Sequence, residues 1–181
     1  MKRWDVRLSG FGGQGVISAG HIIARSVLYL KNKDAVVTKS YGPEKTGGWA
    51  VADVVVTYGE VDYPLVDSPN IFIALSQDGF DRNAASIRPG ALVMIDDMVE
   101  TNGELEDVIV VPIPATKEAE ALGRRVVANI VMLGAFAMLT DVVTPRALKR
   151  AILDTVPKGT EELNTKAFLR GLELAEEVVE A

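Results

Sequence analysis

With 181 residues, 48% of them hydrophobic and 24% charged, the chain is long enough for one well-formed domain and short for two. A formal charge of -6, with no long basic run, argues against general nucleic-acid binding, which needs a cationic face to replace phosphate counterions. No cysteine is present, which excludes thiolate-held iron–sulfur clusters, disulfides and sulfur nucleophiles on this chain and fits a cytoplasmic protein.

The N-terminus, Met-Lys-Arg-Trp-Asp, is charged and has no apolar signal core. A short apolar run, Val6 to Ser9, leads into Gly10-Phe11-Gly12-Gly13-Gln14-Gly15, and an apolar periodic stretch follows from Val16 to Leu30. That order predicts strand, glycine turn and helix, the context in which G-x-G-x-x-G at Gly10, Gly12 and Gly15 has meaning. Glycines there admit positive φ, let the helix pack against the strand, and bring backbone N–H groups toward an anion. A dinucleotide site also needs an acid after the second strand to take the ribose hydroxyls. That strand, Ala35 to Ser40, ends in Lys39 and Ser40, and the nearest acid, Asp34, precedes it. His21, the single histidine, has no identified partner and is expected to be a packing or surface residue.

Ser40-Tyr41-Gly42-Pro43-Glu44-Lys45-Thr46-Gly47-Gly48-Trp49 holds three glycines, a proline and two aromatics, so it is expected to be a loop with fixed backbone demands. Tyr41 and Trp49 are candidate interface anchors. Strands are predicted over Ala50 to Tyr58, Ile71 to Leu75, Ala91 to Ile95 and Val108 to Ile113, the last ended by Pro112 and Pro114. The run Ile71 to Leu75 suits a strand buried on both faces. Asp96 and Asp97 follow a strand end and are expected to be solvated loop carboxylates rather than a metal pair. Helices are predicted from Gln77 to Ile87, Lys117 to Leu122, through Val126 to Leu139, from Thr144-Pro145 onward, and over Glu162 to Val179. The apolar stretch Val126 to Leu139 falls short of the roughly 20 residues that span a bilayer, so no membrane contact is expected. Its one polar member, Asn129, needs partners and is expected to tie this helix to a neighbouring loop or subunit.

These readings predict a single α/β domain over residues 1–181, Rossmann-like, with a mostly parallel sheet and helices on both faces. Two functions stay open on the residues alone: a self-sufficient NAD(P)-binding oxidoreductase, and a regulatory nucleotide-binding module.

The strings SGFGGQGV, SYGPEKTGG, LSQDGFDR, NIVMLGAF and PKGTEELNTKAF occur in that order over nearly the whole chain. Together they resemble the gamma subunit of the 2-oxoacid:ferredoxin oxidoreductases, especially those acting on 2-oxoglutarate or related 2-oxoacids. The resemblance implies an assembly that oxidatively decarboxylates a 2-oxoacid to the acyl-CoA and CO2 and passes electrons to ferredoxin. It also implies alpha and beta partner subunits, with a ferredoxin-like delta subunit in some members, that carry thiamine diphosphate, Mg2+ and iron–sulfur (4Fe-4S) clusters. No cofactor is expected on this chain, where the closest string to the beta subunit's Gly-Asp-Gly, Gln77-Asp78-Gly79, lacks the first glycine. The chain's own part is implied to be structural and gating, with a homodimer expected when it is isolated. Candidate contacts for CoA or a neighbouring subunit are Gly12, Gly13, Gln14, Gly15, Ser40, Tyr41, Gly42, Pro43, Glu44, Lys45, Gly47, Gly48 and Asn129; none is assigned a catalytic role. Many members carry Met-Arg where this loop has Lys45-Thr46, and a threonine cannot make the paired contacts of a guanidinium. An arylpyruvate-type oxidoreductase subunit therefore stays open as well.

Overall fold

The computed structural model describes residues 2–44, 47–101, 103 and 105–180. Six strands, β1 (Arg3–Phe11), β2 (Lys33–Tyr41), β3 (Trp49–Tyr58), β4 (Ile71–Ala74), β5 (Leu92–Asp96) and β6 (Ile109–Ile113), form one sheet in the order β2-β3-β1-β4-β5-β6. β1, β4, β5 and β6 run parallel, while β3 is antiparallel to both β1 and β2. Five strands therefore point one way and β3 alone is reversed. In a simple doubly wound half, β2 would lie beside β1. Here β3 separates them, so β2 stands two strand spacings, roughly 10 Å, from β1.

Side-chain alternation divides the interior. Trp4, Val6 and Leu8 of β1 and Ala52, Val54 and Val56 of β3 enter a large core with α1 (Val16–Val27), α4 (Ala128–Leu139), α5 (Pro145–Leu153) and α6 (Glu161–Glu180). Phe72 and Ala74 point the other way and meet Phe80, Val93, Ile95 and Val99 under the short α2 (Gln77–Asp81). All four residues of β4 are buried, as its unbroken apolar run predicts. Helices thus cover both faces, unequally. The thinner side is closed by polar groups as well: the Arg7 guanidinium forks onto Asp53 at 2.7 and 2.8 Å and also donates to Val66 O.

Element ends follow local chemistry. Thr144 caps α5, its hydroxyl accepting from the Ala147 N–H, with Pro145 in the first turn. The helix predicted over Gln77 to Ile87 stops at Asp81 and resumes as a 3-10 turn at Ala84–Ser86. Between the two, the Asn83 amide donates to Gly79 O and to Ser9 Oγ. β6 runs through Pro112 rather than ending at it. Ile109 N donates to Ala91 O, so alternate residues face β5 and Pro112 faces outward, where a missing N–H breaks no ladder bond. α4 is buried on nearly every side, and it meets α6 where Gly134 opposes Gly171. Among the described residues no helix is long and apolar enough to cross a membrane.

Candidate functional site

Reversal of β3 brings the two glycine-rich segments to one sheet edge. Phe11, at the end of β1, pairs with Trp49 at the start of β3, and Tyr41, at the end of β2, pairs with Ala50. The turn after β1 and the loop after β2 therefore leave the sheet side by side, at the edge where β4 and β5 also end. Gly12 N donates to Gly48 O at 2.7 Å, and Gly42 N donates to Trp49 O at 2.8 Å. The first of these bonds joins the two loops.

The glycine turn is fixed from below. Gln14 donates through Nε2 to Leu75 O at 2.8 Å, and its Oε1 accepts from Phe11 N at 2.6 Å. Both ends of this carboxamide are thus engaged with the chain's own backbone, tying the turn to the end of β4. Gly15, the N-cap of α1, has φ 73°, and its carbonyl accepts from Asn129 Nδ2 at 3.1 Å. The space beside its Cα is filled by that amide, so both backbone conformation and room require glycine. Asn129 is only 7% exposed; the expected tie between the late helix and a loop is this contact.

Two cavities flank the turn and share Gly12 and Gly13. One, of about 330 Å³, lies between Gln14, Leu75, Thr116 and Arg125. The other, of about 410 Å³, is formed with Tyr41, Gly42, Glu44, Gly48 and Trp49. The Glu44 carboxylate folds back over Gly42 and Gly48, leaving no room for a Cβ at either. Ser40, Tyr41, Pro43 and Gly47 are exposed on the rim, whereas Lys45 and Thr46 lie outside the described residues. The structure thus gathers the candidates from Gly12 to Gly15 and from Ser40 to Gly48 that it describes, and it sets Asn129 beneath them as a support.

Neighbouring groups add features that the sequence reading missed. Arg82, held by Asp78 at 2.8 Å, places its guanidinium 5.8 Å from the Trp49 ring centre. The Asp78 hydrogen bond raises its pKa, and the Glu44 charge adds to the effect. Arg82 supplies a cation beside the loop that ends at Trp49. Asp96 is a correction to the expected solvated carboxylate: it is fully buried, and its Oδ2 accepts from Thr116 N at 2.9 Å and Thr116 Oγ1 at 2.7 Å. It thereby anchors the start of α3 (Ala115–Ala121) to the sheet edge. Asp97 is exposed; partial desolvation of its carboxyl, with the hydrogen bond and charge of the neighbouring Asp96, pushes its pKa up. His21 is exposed on α1. Among the described residues no group of three metal-ligating side chains converges. Lys39 lies near the end of β2, which β3 separates from β1, with its ammonium 6.0 Å from the Tyr41 ring centre.

An open α/β sheet that presents two joined glycine loops, and backbone groups rather than a set of reactive side chains, defines a Rossmann-like subunit domain. Comparison with known proteins makes this specific. The model of the pyruvate ferredoxin/flavodoxin oxidoreductase family matches residues 5–174. The chain belongs to that family, as a gamma-type subunit of the 2-oxoacid:ferredoxin oxidoreductases. It is 46% identical over 179 residues to the 2-oxoglutarate synthase subunit KorC of Methanocaldococcus jannaschii, covering 97% of this chain and 96% of that one. The gamma subunit of a keto/oxoacid ferredoxin oxidoreductase from Geobacter sulfurreducens superposes with a TM-score of 0.87 at 35% identity, covering 98% of both chains. The 2-oxoglutarate:ferredoxin oxidoreductase of Magnetococcus marinus, solved with 2-oxoglutarate, coenzyme A and succinyl-CoA bound, gives 0.89 at 26% identity. It covers 98% of this chain and 32% of that chain.

Proposed function

We propose that this chain serves a complex acting on 2-oxoglutarate, holds the thiamine-binding alpha and beta subunits together, and presents its paired loops to CoA. The observation that carries the reading is the Gly12–Gly48 bond, which turns two glycine segments into one exposed backbone edge with a cavity on each side. The Arg125 guanidinium beside the glycine turn suits an anionic ligand, while Tyr41 and Trp49 offer the amphipathic rings common at subunit contacts. The similarity to KorC supports 2-oxoglutarate as the substrate of the whole complex.

The chain's residues do not fit the complex's redox groups. It has no thiolate for a cluster. Thiamine diphosphate, Mg2+ and iron–sulfur clusters are accordingly assigned to the partner subunits, including a ferredoxin-like delta subunit where one exists. In isolation the chain is expected to form a homodimer, measurable as mass by light scattering.

Reconstitution tests the reading. The alpha and beta subunits, with and without this chain, are assayed for CoA-dependent reduction of a viologen dye by several 2-oxoacids. Dependence on the chain, preference for 2-oxoglutarate and a raised KM for CoA in the Arg125→Ala complex are expected. Full activity without the chain, or an unchanged KM for CoA in that variant, refutes it.

A further inference from the structure

The sheet ends differently on its two sides. At one edge β6 turns Val110 and Pro112 outward, and the proline leaves no N–H there for an added strand. At the other edge β2 is nine residues long, against about five or six for a typical strand, and it carries no proline. Gly42 N donates to Trp49 O and Gly59 N to Asn32 O, which fixes the phase of the ladder: Asp34, Val36, Thr38 and Ser40 are bonded to β3. Lys33, Ala35, Val37, Lys39 and Tyr41 therefore aim their N–H and C=O groups away from the sheet. Of these N–H groups only that of Ala35 has an acceptor among the described residues, Asp34 Oδ1 at 2.8 Å.

No residue of β2 is buried, so none of the described residues closes this edge. An open, regular edge of this length is completed by another extended segment, and β2 is complementary to itself. Across a two-fold axis such strands run antiparallel. With Val37 on the axis the whole strand pairs: Lys33 stands opposite the copy's Tyr41, Ala35 opposite its Lys39 and Val36 opposite its Thr38. β-branched residues meet at the centre, and no two like charges stand directly opposite. A slip that centres Val36 sets Lys33 against the copy's Lys39, which like-charge repulsion disfavours; one that centres Thr38 leaves Lys33 and Asp34 without partners. The Lys33 ammonium is drawn back over the Trp4 ring and donates to Val142 O at 2.6 Å, away from the junction.

There is room for the join. α1 packs over β3, where Gly20 lies against Ala52 and Val54, and β3 then stands three strand spacings, roughly 14 Å, from its copy. Packed helices approach to about 8–10 Å, so the two α1 helices flank the junction without collision. We propose that two copies of this chain join through β2, antiparallel about Val37, into one continuous sheet. The proposal rests on the expected homodimer and names its interface; it needs nothing of the CoA contact or of the alpha and beta subunits.

Light scattering and amide hydrogen exchange of the full chain, between about 1 µM and 1 mM, test this. Mass should move from monomer toward dimer as concentration rises. The Val37, Lys39 and Tyr41 amides should slow about tenfold or more in step with it, while Val36, Thr38 and Ser40 stay protected throughout. Lys39→Pro removes an outward N–H without touching the β3 ladder, so it should raise the dimer Kd about tenfold at unchanged monomer Tm. In a chain without cysteine, the Val37→Cys variant should form a disulfide-linked dimer on mild oxidation, because directly opposed Cα atoms lie about 5.5 Å apart. A mass that stays monomeric up to about 1 mM sinks both the homodimer and its interface. A dimer whose outward amides exchange freely, or that cross-links through Val36→Cys or Thr38→Cys instead, overturns the interface alone. Protection of Val37 and Lys39 seen only with the alpha and beta subunits present gives the edge to a strand of theirs and overturns it likewise.

Discussion

Replacing Gly171 by alanine puts a methyl group into the contact between α4 and α6 where Gly134 and Gly171 face each other. An ideal Cβ there lies 2.9 Å from Gly134 Cα and closer still to Val131 O, against roughly 3.5 to 4.0 Å for relaxed carbon contacts. The obstructing atoms are backbone, so no rotamer change relieves them, and α6 must retreat from α4 by about 0.7 Å or more. Such a gap forfeits roughly a quarter to a half of each dispersion contact along the seam, which includes Ala167, Phe168, Leu174 and Ala175, all at most 6% exposed. Overpacking of this kind costs about 3 kcal/mol at the upper end of its usual range. The better helix propensity of alanine offsets about 1 kcal/mol, leaving a net loss of about 2 kcal/mol. For a chain of this length that lowers Tm by roughly 5 °C in differential scanning calorimetry. Gly134→Ala should behave alike, and the double variant should lose less than the sum because both methyls disturb one contact. If Gly171→Ala leaves Tm unchanged or raises it, propensity alone governs the site and the close-packing argument fails.

Gln14→Ala removes both ties between the glycine turn and its surroundings. Hydrogen exchange at the Phe11 amide should accelerate while global stability falls by about 1 kcal/mol; unchanged exchange means that the side chain does not hold the turn. Tyr41 is 56% exposed, so Tyr41→Ala should leave Tm unaltered and reduce recovery of the alpha and beta subunits on co-purification. The Arg170 guanidinium, bonded at 2.9 Å, holds the Glu118 carboxyl below its ordinary pKa and joins α3 to α6. A carboxylate depressed in the folded state stabilises above its unfolded pKa and loses that contribution as pH falls through the folded one. Stability should therefore decline below about pH 4.5, and Glu118→Gln should be less stable than wild type at neutral pH and show a shallower acid limb in denaturant melts. An identical limb in the variant excludes Glu118 as a contributor.

What was legible in the sequence was local. Thr144-Pro145 announces a helix start because an N-cap hydroxyl and a proline act within one turn, and the unbroken apolar run at β4 announces burial on both faces. Pairing direction leaves no such mark. The residues Asp53-Val54-Val55-Val56-Thr57 look the same whether the strand is parallel or reversed, so the intrusion of β3 between β1 and β2 could not be read. With it went the meeting of the two glycine loops. Asp96 was misread because its partner, Thr116, lies twenty residues on and becomes a neighbour only when β6 and α3 return to the sheet edge. Gln14 looked available for a ligand because a sequence does not show that Leu75 O and Phe11 N claim it. Pro112 carried a signal that went unused: a proline within an otherwise sound strand marks an edge and the outward side of it.

The bond from Gly12 N to Gly48 O makes each loop part of the other's environment. A molecule that orders the segment after β2 also fixes the acceptor on which the segment after β1 depends, and the converse holds equally. Linkage then requires reciprocity: whatever factor a bound anion at the first loop adds to the affinity of a subunit seated on the second, that subunit must return to the anion. In the assembled oxidoreductase, small-molecule occupancy and subunit cohesion would be read through one backbone hydrogen bond as two sides of a single equilibrium.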